Sequence, residues 1–230
     1  MASPRDMVER LRPLVEAHRD RRQAPVRFRP QTWHPWLEPH AAAHVLALGA
    51  RIGGAGHGDR LISRDDLAAL RQEATGNEPD RLRDLFVAVM IWGSGTTNGR
   101  GPRYTADALS DPRLPHVLRT TRSAVRAGRL SAAYDGFALR GVGRSFFTKW
   151  FAAVDDRGEG DEYALILDNR VFRTLNALGW TSIEAAGTRH RPTRYAAYVQ
   201  AVHTWAGPLD VPAAWLEWLL FDLNGEVPTP

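Results

Sequence analysis

Cysteine is absent from the 230 residues, which excludes disulfides, thiolate metal sites and an iron–sulfur cluster. Lysine is nearly absent as well: of 30 basic residues only Lys149 is not arginine. A bias of that kind reflects a GC-rich genome more often than chemistry. Arginine nonetheless replaces lysine in most phosphate-binding roles and cannot replace it as a nucleophile, because a guanidinium stays protonated where an amine can lose its proton. No apolar run approaches the roughly 18 residues needed to span a bilayer. The opening segment, MASPRDMVERLRPLVEAHRDRR, has no apolar stretch between its charges that would serve as a signal peptide. No membrane partner is expected, and a cytoplasmic, nucleoid-associated location is. The eight histidines are scattered without ligand spacing, so no metal site and no metal-dependent hydrolase is expected.

Strand signals are scarce too. What is present is apolar residues at three- and four-residue spacing, interrupted by Gly, Pro and Asp, which predicts an all-α protein. Helices are predicted near 7–18 and 41–50. Further ones are predicted at 64–74 behind a Ser63 cap, then at 80–92, 105–109, 114–127, 130–137 and 144–154. The last three span 169–178 with Gly179 as the stop, 193–205, and 212–223 with Asp210 as the cap. Residues 1–62 form a Pro- and Arg-rich helical region expected to pack on the core. The glycines of RIGGAGHGDR lack the strand-before, helix-after context of a dinucleotide fingerprint. The net charge of +4 and the 43% hydrophobic content suit a globular protein that touches phosphates without wrapping long stretches of them.

Residues 130–154 are predicted as helix, tight turn, helix. Gly141 and Gly143 flank Val142, which should tuck down between the helices. Glycine permits positive φ and lets the backbone approach another molecule closely. The second helix starts directly after the turn, so the early N–H groups around Arg144 and Ser145 and the positive dipole end offer a phosphate site. An ordinary αα-hairpin with a glycine turn has the same sequence signature.

On the second helix, Phe146, Phe147, Trp150, Phe151 and Val154 form an apolar stripe with Lys149 at its edge, on the side of Ser145. Its stem can lie on apolar surface with the amine facing a cleft, where partial burial favours the nucleophilic form. A snorkelling surface lysine fits the same pattern. Asp168 follows the apolar run ALIL and immediately precedes a helix, the place of an N-cap, where backbone N–H groups keep a carboxylate ionised and fixed.

LRGVGRSFFTKWF followed by LILDNRVFRTL resembles the helix-hairpin-helix motif and downstream aspartate of the helix-hairpin-helix (HhH-GPD) DNA glycosylases, which include 8-oxoguanine DNA glycosylase and endonuclease III. Lys149 and Asp168 stand 19 positions apart, a spacing similar to that of the bifunctional members. The resemblance covers about 80–178 and, more loosely, the final helices. It is nearest to a bacterial 8-oxoguanine-glycosylase-like group, and the missing cysteines exclude the iron–sulfur branch. In the family the lysine follows the second hairpin glycine by two positions, which here is Ser145. Lys149 lies one helical turn, about 5.4 Å, further on. Either the nucleophile has moved by a turn, or Lys149 serves the base pocket and the enzyme is monofunctional.

The resemblance implies a two-lobed helical architecture with the active site in the cleft between lobes, and a glycosylase domain over 63–230. It implies Lys149 and Asp168 as catalytic residues, with Gly141, Val142, Gly143, Arg144 and Ser145 gripping DNA. Thr97, Asn98 and Arg100 would enter the gap left by the target base, and Phe147, Trp215, Trp218 and Phe221 would line the base pocket. The expected partner is double-stranded DNA containing a modified base, bound by a monomer without a cofactor, save a monovalent cation held by hairpin carbonyls. The implied activity is excision of a flipped-out base, 8-oxoguanine first, in base excision repair, with AP lyase activity through Lys149. Two other readings stay open: a glycosylase for an alkylated or hypermodified phage base acting in antiviral defence, and a non-catalytic DNA-binding hairpin protein.

Overall fold

The computed structural model describes residues 3–53, 58–74, 76, 78–95, 99–158 and 160–227. The protein is all-α with one small sheet, as the apolar spacing predicts, and its residues divide between two compact units. The first takes 1–23, 124–135 and 155–230; the second takes 24–123 and 136–154. Residues 62 and 63, where the sequence suggests a boundary, lie together inside the second unit.

The chain opens in the first unit with α1 (Pro4–His18), started by a capping box in which Ser3 and Asp6 bond each other's backbone. It then enters the second unit. There β1 (Val26–Phe28), β2 (Ala50–Arg51) and β3 (Arg60–Ile62) form an antiparallel sheet in the order β1-β3-β2, with Phe28 and Ile62 buried. Asp59 staples it. The Asp59 carboxylate is buried, accepts from Arg27 Nε at 2.7 Å, and is held below the usual carboxylate range by that hydrogen bond. Between the strands lie α2 (Pro30–Leu37) and two short 3-10 turns, Glu38–His40 and Ala43–Ala47. The helix expected over 41–50 is therefore replaced by a 3-10 turn and a strand. Ala41 at φ 53 and Gly49 at φ +72 break the helical path on either side.

The rest of the second unit is built on α3 (Arg64–Glu73), α4 (Pro79–Gly93) and α5 (Gly101–Leu109), with most of α6 (Leu114–Arg126). Ser63 caps α3 as its sequence position predicts. α4 is buried without a break from Leu85 to Trp92, which makes it the spine of this unit. After α7 (Leu130–Gly136) the chain turns into α8 (Arg144–Val154), which packs on α4 through Trp150. Trp150 is fully buried, meets Phe86 edge-on at 6.1 Å and donates Nε1–H to Thr121 Oγ1 at 3.0 Å. Trp150→Phe is expected to lower stability by about 1–2 kcal/mol, measured from the urea midpoint, because it removes one buried hydrogen bond and leaves a small void.

In the first unit, α9 (Asn169–Ala177) ends in a Schellman turn. Gly179, at φ +76, donates to Asn176, and Trp180 donates to Leu175. Then come α10 (Ser182–Ala186), α11 (Arg191–Leu209) and α12 (Ala213–Leu223). Asp210 does not cap α12. It closes α11 in the left-handed region at φ 54, and Pro212 is the residue that precedes α12.

Candidate active site

Asp168 is built upward from a segment that no sheet supports. Residues 164–167 are buried and lie outside helix and sheet, so their backbone groups need other partners. Three supply them. Asp155 Oδ2 accepts from Ala164 N at 2.7 Å, Tyr195 donates its hydroxyl to Leu165 O at 2.8 Å, and Tyr198 donates to Ile166 O at 2.8 Å. Burial pushes the Tyr195 hydroxyl well above the ordinary tyrosine range, so it stays a donor at any physiological pH. The segment delivers Asp168 to the N-terminus of α9, where Oδ1 accepts from Arg170 N at 3.1 Å and the residue is half-buried. The expected cap is present.

Arg170 completes this corner. Its guanidinium lies 4.2 Å from the centre of the Phe221 ring, and its buried Nε–H meets no acceptor among the described residues. α9 and α12 are fastened to each other by Thr174, which donates to Leu220 O at 2.7 Å and accepts from Gly225 N at 2.8 Å. Phe221 lies on α12, packed against α9, with one ring face taken by Arg170. Trp218, buried, meets Trp215 edge-on at 6.1 Å, and Trp215 donates Nε1–H to Arg21 O at 3.0 Å. An open groove of about 580 Å³ in the same unit is lined by Asp161, Tyr163, His203 and Asp210 among others, and includes none of the expected base-pocket residues.

The other expected site residues fall in the second unit. Gly141 adopts φ +80, with the position of a Cβ only 3.3 Å from Tyr104 Cδ1 of α5, so a side chain there is disfavoured twice. Val142 is buried. Gly143 is different: its φ is ordinary, and a Cβ would meet nothing within 4 Å. The fold does not require glycine there, which leaves close approach of another molecule as a reason for it. The Gly143 carbonyl accepts from Phe146 and Phe147 N–H, which starts α8 directly after the turn. Ser145 and Arg144 are half-buried at that start.

Lys149 is 8% exposed, with its Nζ donating to Ser145 O at 3.1 Å and lying 5.6 Å from the Phe146 ring centre. It shares the face with Ser145, as the helical spacing predicts. Phe147 stacks on Phe137 at 5.3 Å and tilts against Phe151 at 5.5 Å, a core position in the second unit. Arg100 is exposed just before α5, while Thr97 and Asn98 lie outside the described residues. Gly101, which follows Arg100, is pinned from both sides: a Cβ would come within 2.0 Å of Ser94 Oγ and 3.2 Å of the Trp33 ring.

Sequence reasoning missed Asp155, Tyr195, Tyr198 and Arg170. Two tyrosines, Tyr195 and Tyr198, in line with the apolar stripe Val199, Val202 and Trp205 of one helix, together with an apolar run lacking any strand partner, are the available signal. No group of three or more His, Cys, Asp or Glu able to hold a metal ion occurs among the described residues.

The chain matches, over residues 19–221, the family described as "Putative 8-oxoguanine DNA glycosylase OGG-like protein", and it belongs to that family. No curated protein and no solved structure matches it.

Proposed function

We propose that the protein is a DNA N-glycosylase of the helix-hairpin-helix superfamily that excises a flipped-out modified base from duplex DNA, 8-oxoguanine first among the candidates. The observation that carries this reading is membership of the OGG-like family over residues 19–221. In it, the exposed turn at Gly143 and the amide end of α8 take a DNA phosphate. Extruding the nucleotide is easier where damage has weakened its pairing. Two of the turn's carbonyls, Leu139 and Gly143, already accept amide N–H groups. A cation at the hairpin would share them.

Asp168 then stabilises the positive charge that develops on the sugar as the glycosidic C–N bond breaks and its electron pair leaves with the base. Arg170, two residues after Asp168, offers its guanidinium to a phosphate oxygen of the flipped nucleotide. In the bifunctional form, the Lys149 amine bonds to the sugar carbon as the base leaves and gives up a proton; the ring C–O bond then opens, its electron pair going to the ring oxygen, and the iminium so formed opens the way to strand cleavage. In the monofunctional form a water attacks instead, a course favoured by the hydrogen bond that already holds Lys149 Nζ to Ser145 O.

Borohydride trapping on duplexes carrying 8-oxoguanine, alkylated bases or hypermodified phage bases tests this reading. The expected result is a covalent adduct with one lesion, lost completely in Lys149→Gln. Full excision by Lys149→Gln would assign the attack to water, and binding without an abasic product from any duplex would remove the glycosylase reading.

A further inference from the structure

Gly93 is the last residue of α4, where its φ is not positive and alanine would hold the helix better. Backbone conformation therefore gives no reason for glycine there, and the space around it does. A Cβ on Gly93 would sit 2.8 Å from Lys149 Cδ, closer than such contacts are found, and 3.1 and 3.2 Å from Phe146 Cε1 and Cδ1. Lys149 Cδ is a middle atom of the stem. The stem is flanked by Gly93 on one side, its head is tied to Ser145 O at 3.1 Å, and the Phe146 ring lies 5.6 Å from the amine. A long side chain with this little exposure cannot step aside without breaking one of these contacts.

We infer that Gly93 is a positioning residue for the Lys149 amine. The missing Cβ forms the slot in which the lysine stem lies, and so fixes where the amine is presented on α8. The inference builds on the reading of Lys149 as a group that meets the sugar, but the contact itself exists without DNA and is tested without it. Because Lys149 is the only lysine, its amine can be followed alone in the intact protein, with the α-amine as internal reference. A methyl at position 93 must push the stem out of its slot, exposing the amine to solvent while moving it from its place in the site.

The test is trace acetylation of Gly93→Ala with acetic anhydride, read by peptide mass, beside borohydride trapping on the lesion duplex that the wild type processes. Acetylation of Lys149 relative to the α-amine is expected to rise at least about fivefold, because a displaced stem is more exposed. Trapping is expected to fall at least about tenfold, because a shift of an ångström is enough to misplace a reacting group. Acetylation within twofold of wild type overturns the inference, and so does raised acetylation with trapping intact. Raised acetylation in a protein whose wild type processes no duplex upholds the slot and removes the glycosylase reading instead. Where Gly93→Ala alone fails to fold, the pair Gly93→Ala with Lys149→Ala is expected to fold, since the stem is gone. A pair that also fails to fold overturns the assignment of the slot to the lysine.

Discussion

Asp168→Asn is expected to lower base excision at least a hundredfold, equivalent to about 2.7 kcal/mol of transition-state stabilisation, with the affinity for lesion DNA and the urea midpoint nearly unchanged. The substitution separates the two roles of this residue. Asparagine caps a helix as well as aspartate does, so the bond from Arg170 N, now 3.1 Å, has an equivalent acceptor and α9 keeps its start. What disappears is the negative charge proposed to meet the developing cation on the sugar. Asp168→Ala is the control: it removes cap and charge together and is expected to reduce stability by about 1 kcal/mol as well. Single-turnover excision and urea unfolding read the two roles independently. Full activity in Asp168→Asn would leave Asp168 as a structural cap.

Gly143→Asp should weaken DNA binding at least about tenfold at 0.1 M salt, and it should leave the protein as stable as before or more so. A side chain at this position has open space around it and needs no unusual φ. It directly precedes α8, where an aspartate caps the helix and complements its dipole. The same carboxylate occupies the place proposed for a phosphate and repels it. Stability and binding thus move in opposite directions, which a general disruption of the fold cannot produce. Gly141→Ala supplies the contrast. With φ +80 and Tyr104 Cδ1 at 3.3 Å, it is expected to lose about 1–2 kcal/mol of stability. Wild-type affinity in Gly143→Asp, measured by fluorescence anisotropy on a labelled duplex, would remove the hairpin from the DNA contact.

The local patterns were legible wherever one helix carried its own signal. The Ser63 capping box, the Gly179 stop and the extent of α4 and α8 follow from residues within a few positions of each other. The reading failed over 41–50, where Ala and Leu favour a helix by propensity but left-handed backbone at Ala41 and Gly49 confines the turn to Ala43–Ala47, and Ala50 pairs with β3. It failed at Asp210 for a similar reason: a residue between two helices can close the first or open the second, and the left-handed backbone there closes the first.

For the site, sequence by itself determined the chemical inventory. The absence of cysteine, the single lysine, the two hairpin glycines and an aspartate directly ahead of a helix are facts of composition and order. They name the groups and the class of chemistry. Tertiary structure decided what holds those groups. Tyr195 and Tyr198 reach back some thirty positions to satisfy the segment that carries Asp168, and Gly93 makes room for a lysine 56 positions later. The physical reason is range. Caps and helical faces are set by neighbours within one or two turns, whereas buried backbone groups and the room for one side chain depend on which distant residues the packed core brings against them.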